Sequence, residues 1–220
     1  MSILISSSEA VVCGGFVAFH TDISNGTIAV RGDRPLTADV IAFWKIEIVQ
    51  PLFGTSIMFG VGSSRAKRSL RYCFANLLGF DDQSYGLSYN GQIFHNGIGV
   101  QFCKPFHNPC SLSILFHGPS ASIGFFRNEV FLGWAFKQVD LTEPLYPMIS
   151  STAQRSFFNV RSQWFRSVLP ESLSEKCLEK ISSLISEVTD VQRLPIPEFL
   201  KRSLRERIVR PRLNLQVSVK

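Results

Sequence analysis

Histidine and carboxylate side chains are the groups in this chain that could carry hydrolytic or metal chemistry, and their spacing decides whether they do. No two of the four histidines stand in the HExxH spacing that places two zinc ligands on one helical face. These histidines are His20, His95, His107 and His117. The adjacent acids Asp81 and Asp82 project in different directions, which is typical of a turn. We therefore expect no metal site, no cofactor and no catalytic residue.

The cysteines show neither a zinc pattern nor a disulfide pattern. The chain has five, an odd count without a CxxC pair, which favours reduced thiols in an intracellular compartment. They are Cys13, Cys73, Cys103, Cys110 and Cys177. Cys103 and Cys110 are too isolated for a structural metal site, and buried packing explains them better.

Nucleophile and phosphate motifs are also missing. The chain contains no GxSxG elbow and no GxxxxGK loop, and the Gly60–Gly62 stretch falls inside a predicted strand, where glycine marks a bulge or a close approach. This pattern favours a binding protein. A lectin-like or hydrolytic enzyme with a β-sandwich fold is an alternative to a binding protein. Such an enzyme would need clustered acids or a metal site.

The composition is that of a folded domain with an appendage. The chain has 220 residues, of which 45% are hydrophobic and 18% charged, and 19 are phenylalanine, which suits a β-rich core. No apolar run approaches the roughly 20 residues that span a bilayer, and the first residues lack a basic signal-peptide start. We expect a cytoplasmic or nuclear protein that does not enter a membrane.

Positive charge is concentrated in two places. The net charge is +6, and the clusters are Arg65, Lys67, Arg68 and Arg71, and then Lys201, Arg202, Arg205, Arg207, Arg210 and Arg212. Basic clusters can track nucleic-acid phosphates. No aromatic and glycine-rich nucleic-acid motif accompanies them, so a solvated face or an acidic protein partner is the favoured interpretation.

Short apolar runs bounded by turn residues fill the chain from about Gly15 to Val160. They predict strands at GFVAFH, TIAVRG, AFWKIEIV, SIMFGVG, YGLSYNG, QIFHNG, LSILFHG, ASIGFFRN, VFLGWAF, YPMISS and SFFNVRS. In WKIEIV the period is two, so Trp44, Ile46 and Ile48 should share one face. The pairs Asn25–Gly26, Asn90–Gly91 and Asn96–Gly97 predict tight hairpins. Many short strands without intervening helices predict a mostly β, antiparallel sandwich.

The period changes after about Gln163. Apolar residues then recur at three and four positions, which predicts a helix with one apolar face formed by Leu173, Cys177, Leu178, Ile181, Leu184, Ile185 and Val188. Ser172 and Glu175 form a capping box at its start. After Pro195 and Pro197, the positions Leu200, Leu204 and Ile208 predict a second helix. The boundary between the two regions is predicted near residues 161–171.

Two parts of the sequence resemble known modules. SLSEKCLEKI followed by LPIPEFL resembles a SOCS box, and FHTDISNGTIAVRG, FWKIEIVQPLFGTSIMFGVGSS and FANLLGFDDQSYGLSYNGQIFHNG resemble a SPRY domain. The chain is therefore similar to the SPRY domain-containing SOCS box protein family, within it to the branch of protein 3. The resemblance runs from about Phe16 to Ile208. It implies a SPRY domain at 1–163 with a shortened N-terminal lead, a SOCS box at 168–210 and a basic tail at 211–220.

The resemblance assigns partners to the C-terminal region. It implies that Leu173, Cys177 and Ile181 contact elongin C in the elongin B/C complex. It implies that a cullin box, formed by Leu194, Pro195, Ile196 and Pro197, recruits a cullin-5 type scaffold with its RING protein. Where the family often has tyrosine after this box, the chain has Ser203.

The resemblance also places a peptide-binding site on three segments of the sandwich. They contribute His20, Asp22 and Ser24, then Phe74 and Leu77, then Thr152, Ala153 and Gln154, where relatives have Val-Trp-Gly in the last segment. The implied function is that of a non-catalytic adaptor that presents a target protein, bound through a short degron, for ubiquitination and proteasomal degradation. The alternative is a stand-alone SPRY interaction module without ligase recruitment.

Overall fold

The computed structural model describes residues 10–168, 173–185 and 188–205. The chain divides into two compact units, Met1–Val168 and Leu169–Lys220. Within the described residues no helix has both the length and the hydrophobicity of a membrane-spanning segment.

The N-terminal unit is built from fourteen described strands. They are β1 (Ala10–Cys13), β2 (Phe16–Phe19), β3 (Gly26–Arg31), β4 (Val40–Ile48), β5 (Ile57–Ser63), β6 (Ser69–Arg71), β7 (Ser84–Ser88), β8 (Gln92–His95), β9 (Ile98–Gln101), β10 (Cys110–His117), β11 (Ser122–Arg127), β12 (Val130–Phe136), β13 (Leu145–Ser151) and β14 (Ser156–Ser167).

These strands form two antiparallel sheets of seven strands each. The first has the order β1-β2-β14-β4-β10-β11-β12, and the second has the order β6-β3-β13-β5-β7-β8-β9. The predicted antiparallel sandwich is thus confirmed. The first and last described strands, β1 and β14, both belong to the first sheet, where β14 pairs between β2 and β4.

Strand β4 shows why the sequence forms this layer. Trp44, Ile46 and Ile48 are buried, whereas Lys45 and Glu47 between them are partly exposed. Successive side chains of a strand point to opposite faces, so this alternation lets one face enter the core and the other meet water. The predicted shared face of the three apolar residues is confirmed.

Phenylalanine rings fill the space between the sheets. Phe158 of β14 is fully buried and lies edge-on to Phe59 of β5, with ring centroids 5.5 Å apart, and to Phe19 of β2 at 6.0 Å. Edge-to-face packing is favourable because the positive ring edge meets the negative ring face. The three rings therefore join the two sheets.

The predicted glycine turns have two different outcomes. Asn96 and Gly97 have positive φ angles of 50° and 73° and form the two-residue turn between β8 and β9, as predicted. The hairpin predicted at Asn25–Gly26 is wrong, because β2 and β3 lie in different sheets. Gly26 is required for another reason: a Cβ atom there would lie 2.2 Å from the Leu70 carbonyl oxygen.

Three strands were absent from the prediction. They are β1, β6 and β9, each of three or four residues. At the other extreme, β14 runs for 12 residues to Ser167, with a register shift between Arg161 and Gln163. The strand therefore continues beyond the predicted strand SFFNVRS, to Ser167.

Candidate functional site

One end of the sandwich gathers the three sequence-predicted segments. Residues 20–25 join β2 to β3, residues 72–83 join β6 to β7, and residues 152–155 join β13 to β14. Strand β13 pairs with both β3 and β5, so Ser151 at its end lies opposite Ile28 and Ile57. The three connections therefore begin at the same end of the sandwich. Residues 49–56, which join β4 to β5, contribute a fourth segment at this end.

His20 is buried beneath these loops. Its Nε2 lies 3.0 Å from the carbonyl oxygen of Ser151. A carbonyl oxygen only accepts, so Nε2 carries a proton and donates it. Nδ1 is buried without a hydrogen-bond partner in the described part of the chain. With a positive φ of 49°, His20 turns the chain out of β2 and towards the loops.

Ser24 and Thr152 connect the first and third segments. The Ser24 hydroxyl donates to the carbonyl oxygen of Thr152 at 2.7 Å. The Thr152 hydroxyl accepts from the backbone N–H of Ser56 at 2.9 Å and donates to the Ser56 carbonyl oxygen at 3.0 Å. Thr152 is buried, so these bonds hold three loops in one arrangement away from competing water.

Asp22 and Gln154 meet at the surface of the same end. The Gln154 side-chain amide donates to the backbone carbonyl oxygen of Asp22, and both residues are exposed. Ala153 between Thr152 and Gln154 is buried, so it shapes the loop from beneath. The structure therefore brings all six predicted residues of these two segments to one place.

The segment with Phe74 and Leu77 is held by hydroxyl groups of the second sheet. The Thr27 hydroxyl lies within hydrogen-bond distance of the carbonyl oxygens of Cys73, at 3.0 Å, and Ala75, at 2.9 Å. Phe74 is exposed, whereas Leu77 is buried in a small cluster on the outer face of this sheet. Of the two residues, only Phe74 is available for contact.

Sequence reasoning missed the exposed apolar residues of this end. Ile23, Phe53 and Tyr72 are all exposed, and each stands in a connection between strands. Tyr72 is fixed by its backbone N–H, which donates to the Asn25 carbonyl oxygen at 2.7 Å. Their signal in the sequence was an apolar residue inside a turn, where polar residues are the rule. Together with Phe74 they add exposed apolar surface to the connections at this end, and we refer to these four residues as the apolar rim.

Removing the Thr152 hydroxyl tests whether these loops are structurally coupled. Thr152→Val keeps the side-chain shape but leaves the buried Ser56 N–H without its acceptor. We expect a loss of about 1–3 kcal/mol in the free energy of unfolding, measured by denaturant titration. Thr55→Val changes an exposed neighbour and should cost less than about 0.5 kcal/mol. Equal losses in the two variants would contradict the coupling.

Metal ligands and thiol groups were the chemistry-bearing side chains considered in the sequence. No group of three or more His, Cys, Asp or Glu side chains there could hold a metal ion. Burial raises the pKa of the Cys103 and Cys110 thiols, which disfavours the thiolate form that acts as a nucleophile. All five cysteines are free thiols.

Two residues of the first basic cluster, Arg65 and Lys67, lie beside acidic side chains. Arg65 lies 3.1 Å from Glu143, and Lys67 lies 3.9 Å from Asp81 and 4.7 Å from the centroid of the Phe80 ring. Exposed pairs of this kind contribute about 0–1 kcal/mol each. They reduce the positive charge that this cluster presents.

The C-terminal unit has a hydrophobic cluster of its own. It contains α1 (Leu173–Leu184), a 3-10 helix (Val188–Arg193) and a helix over residues 198–205. Leu178, Val191 and Leu204 are buried together, one from each helical segment. The three helical segments of this unit therefore cover one another's apolar side chains.

The predicted apolar face of α1 is covered on one side only. Leu178 is buried, and Ile181 and Ile185 pack against the same cluster, whereas Cys177 is exposed and Leu184 is 73% exposed. Cys177 and Leu184 are seven residues apart and therefore lie at the same margin of this face, which is left exposed. Ser172 of the predicted capping box and Ile208 of the second helix lie outside the described residues, and Val188 belongs to the 3-10 helix.

The LPIP stretch divides in the same way. Leu194 and Ile196 are partly buried against the cluster, whereas Pro195 and Pro197 are exposed. The Pro197 carbonyl oxygen accepts from the Leu200 N–H at 3.0 Å, which starts the helix over residues 198–205. Within this stretch the two prolines are the exposed residues.

Comparison with known proteins gives consistent matches. The SPRY domain family model matches residues 42–162, more than half of the chain. SPRY domain-containing SOCS box protein 3 of Xenopus tropicalis is 34% identical over 191 residues, which cover 86% of this chain and 51% of the relative. The Xenopus laevis protein of the same name is 32% identical, with 87% and 52% covered. The chain thus spans about half the length of these relatives.

More distant matches agree on the fold. F-box/SPRY domain-containing protein 1 of Caenorhabditis elegans is 29% identical over 154 residues, covering 66% of this chain and 45% of that protein. A crystal structure of a human SPRY domain superposes with a TM-score of 0.56 at 17% identity, covering 70% of this chain and 94% of that structure. The SPRY domain of human HERC1 gives a TM-score of 0.55 at 18% identity, with 69% and 91% covered.

Proposed function

This chain belongs to the SPRY domain family, and from that premise we propose that it is a substrate-recognition adaptor of an elongin B/C–cullin–RING ubiquitin ligase. The resemblance to SPRY domain-containing SOCS box proteins, expected from the sequence, is confirmed by the Xenopus relatives. In this proposal the sandwich binds a target protein and the C-terminal unit recruits the ligase. The adaptor supplies no catalytic group of its own.

The observation that carries the proposal is the order of two independent units. A SPRY sandwich comes first, and a small helical unit with its own apolar cluster follows it. The names of the Xenopus relatives pair a SPRY domain with a SOCS box. A separate C-terminal unit of this kind is what a SOCS box would require.

The loop end of the sandwich is the proposed target site. Its centre offers polar groups around Asp22 and Gln154, and its rim offers the exposed side chains Ile23, Tyr72 and Phe74. Loops held by buried hydrogen bonds lose little conformational entropy on binding. This combination suits a short peptide degron with both apolar and hydrogen-bonding side chains.

The ligase contacts are proposed on the C-terminal unit. Elongin C would contact Leu173, Cys177 and Ile181, which are spaced one helical turn apart, and the exposure of Cys177 supports this. The cullin scaffold would contact Leu194–Pro197, where Pro195 and Pro197 are exposed. A cullin-5 type scaffold is the partner that the LPIP stretch favours.

Bridging explains how such a protein acts without a nucleophile. Binding the target and the ligase at once raises the effective concentration of target lysines near a ubiquitin-charged conjugating enzyme. We propose ubiquitination followed by proteasomal degradation as the outcome.

Affinity purification from cells tests the function directly. We compare the proteins bound by the wild-type chain with those bound by a Leu173→Ala/Cys177→Ala variant, using quantitative mass spectrometry. The variant should lose elongin B/C and cullin and retain its targets, which should accumulate on it because they are no longer degraded. Elongin that is never recovered with the wild-type chain would favour a stand-alone SPRY module. Elongin recovered equally with both forms would contradict the assigned contact at Leu173 and Cys177.

A further inference from the structure

Strand β9 ends the second sheet with an unpaired edge. It pairs with β8 on one side only, and all four of its residues are exposed. Ile98 is 66% exposed and Val100 55%. An open strand edge presents a row of hydrogen-bonding groups, which fits one kind of partner, another β-strand.

The register of the β8–β9 hairpin shows which groups are open. The two-residue turn at Asn96–Gly97 makes His95 and Ile98 a hydrogen-bonded pair, and Ile93 and Val100 form the next such pair. The backbone N–H and C=O groups of Gly99 and Gln101 therefore point away from β8. Neither residue makes a further backbone hydrogen bond to the described part of the chain.

The other edges of the sandwich are less open to a partner. Strand β6 is flanked by Arg68 and carries Arg71, and charges of this kind protect an edge from pairing. Strand β12 has two register shifts against β11, which twist it out of a regular ladder. Strand β1 follows residues 1–9, which the structure does not describe. By contrast, β9 contains no charge, no proline and no bulge.

We propose that β9 pairs with β9 of a second copy of this chain, antiparallel and with Val100 on the twofold axis. In this register Gly99 faces Gln101 of the partner subunit, and Gln101 faces Gly99 of the partner subunit. Each of these two pairs exchanges two backbone hydrogen bonds, so the four open N–H and C=O sets are satisfied. Val100 meets Val100 of the partner subunit, a β-branched pair that favours strand pairing.

A second copy fits this edge because the strand is complementary to itself. The same two residues supply donors and acceptors on both sides of the axis, as a twofold contact requires. The absence of charge removes like-charge repulsion at the contact, although the whole chain carries a net charge of +6. On one face of β9, the Phe94 ring packs over Gly99, which has no side chain of its own.

The contact is small, so the dimer should be weak and should form at high micromolar concentrations. Two four-residue strands bury far less than the roughly 800 Å² per partner of a standard stable interface. The proposal is independent of ligase recruitment, since β9 lies in the sandwich and not in the C-terminal unit.

Cysteine substitution at two positions of β9 tests the register in the full chain. Two Val100→Cys residues would face each other in a non-hydrogen-bonded pair, with Cα atoms about 4.5 Å apart, within the range that a disulfide bridges. Mild oxidation should therefore give a covalent dimer whose 100–100 disulfide is identified by peptide mass spectrometry. Ile98→Cys is the matched control, because its two copies would lie about 13 Å apart and should not bridge.

Sedimentation analysis of Val100→Lys gives a second readout. Two lysines facing each other should weaken self-association by about tenfold or more. Circular dichroism checks that the variant is folded. The proposal is overturned by a wild-type chain that stays monomeric at high micromolar concentration, by a dimer that Val100→Lys leaves unchanged, or by equal disulfide yields from the two cysteine variants.

Discussion

Replacing Leu173 with alanine is expected to weaken capture of elongin B/C by about 2–4 kcal/mol, a loss of roughly 30-fold to nearly 1,000-fold in affinity. The reason is that a leucine one helical turn before the exposed Cys177 would act as the anchor of the contact and fill a pocket in elongin C. Titration of purified protein with elongin B/C, followed by calorimetry, measures the change.

Two further variants separate this effect from unfolding of the C-terminal unit. Leu184→Ala removes a leucine that is 73% exposed on the same helix but lies seven residues beyond Cys177, about 10 Å along the helix axis and outside the predicted motif. It should leave elongin binding within about twofold of wild type. Pro195→Ala/Pro197→Ala should weaken cullin capture and spare elongin. If all three variants lose elongin together, the losses report unfolding of the C-terminal unit and not a specific contact at Leu173.

Phe158→Ala is expected to lower the free energy of unfolding of the sandwich by about 3–5 kcal/mol. The ring is fully buried and contacts Phe19 and Phe59, so its removal leaves a cavity between the two sheets. Domains of this kind are stable by about 5–15 kcal/mol in total, so a large share of the sandwich's stability is lost. A urea titration followed by tryptophan emission measures the loss.

The neighbouring residue provides the matched control. Phe157 points to the opposite face of β14, is partly exposed, and stacks on Phe16 with ring centroids 5.8 Å apart. Phe157→Ala should therefore cost about 1 kcal/mol. A cost equal to that of Phe158→Ala would contradict the assignment of the two faces of β14.

The strands that could be predicted were those with a clear local signal. Strand β4 alternates buried and exposed residues over its length, so its type and its inner face followed from the sequence. Strand β9 is four residues long and follows a tight turn, and all four residues are exposed. The contrast between a buried and an exposed face, which identifies β4 in the sequence, is therefore missing from β9. The position of β14 between β2 and β4 depends on pairing between distant residues, which local periodicity does not encode.

The helical tail shows a different limit. Apolar residues at Cys177, Leu178 and Leu184 all fit a period of 3.6, and periodicity alone placed them on one face. The structure separates them because Val191 and Leu204 cover Leu178 and leave the other two exposed. Which part of a wide apolar stripe turns inward depends on the segments that pack against it.

The loop site could be located only in part. Family resemblance named Ser24 and Thr152, but their hydrogen bond joins residues 128 positions apart and required the fold. Ile23 and Tyr72 were missed because an isolated apolar residue in a turn has no periodicity to mark it. Such residues become visible once the strands on either side fix where the turn points.

The distribution of tryptophan makes the two units optically distinguishable. The chain has three tryptophans, all in the sandwich: Trp44 is 3% exposed, Trp134 38% and Trp164 47%. The C-terminal unit contains neither tryptophan nor tyrosine, so it contributes no indole emission. A blue-shifted emission component that resists acrylamide quenching should come from Trp44 alone, and its loss should report unfolding of the sandwich. Conformational changes within the C-terminal unit should leave this tryptophan emission unchanged.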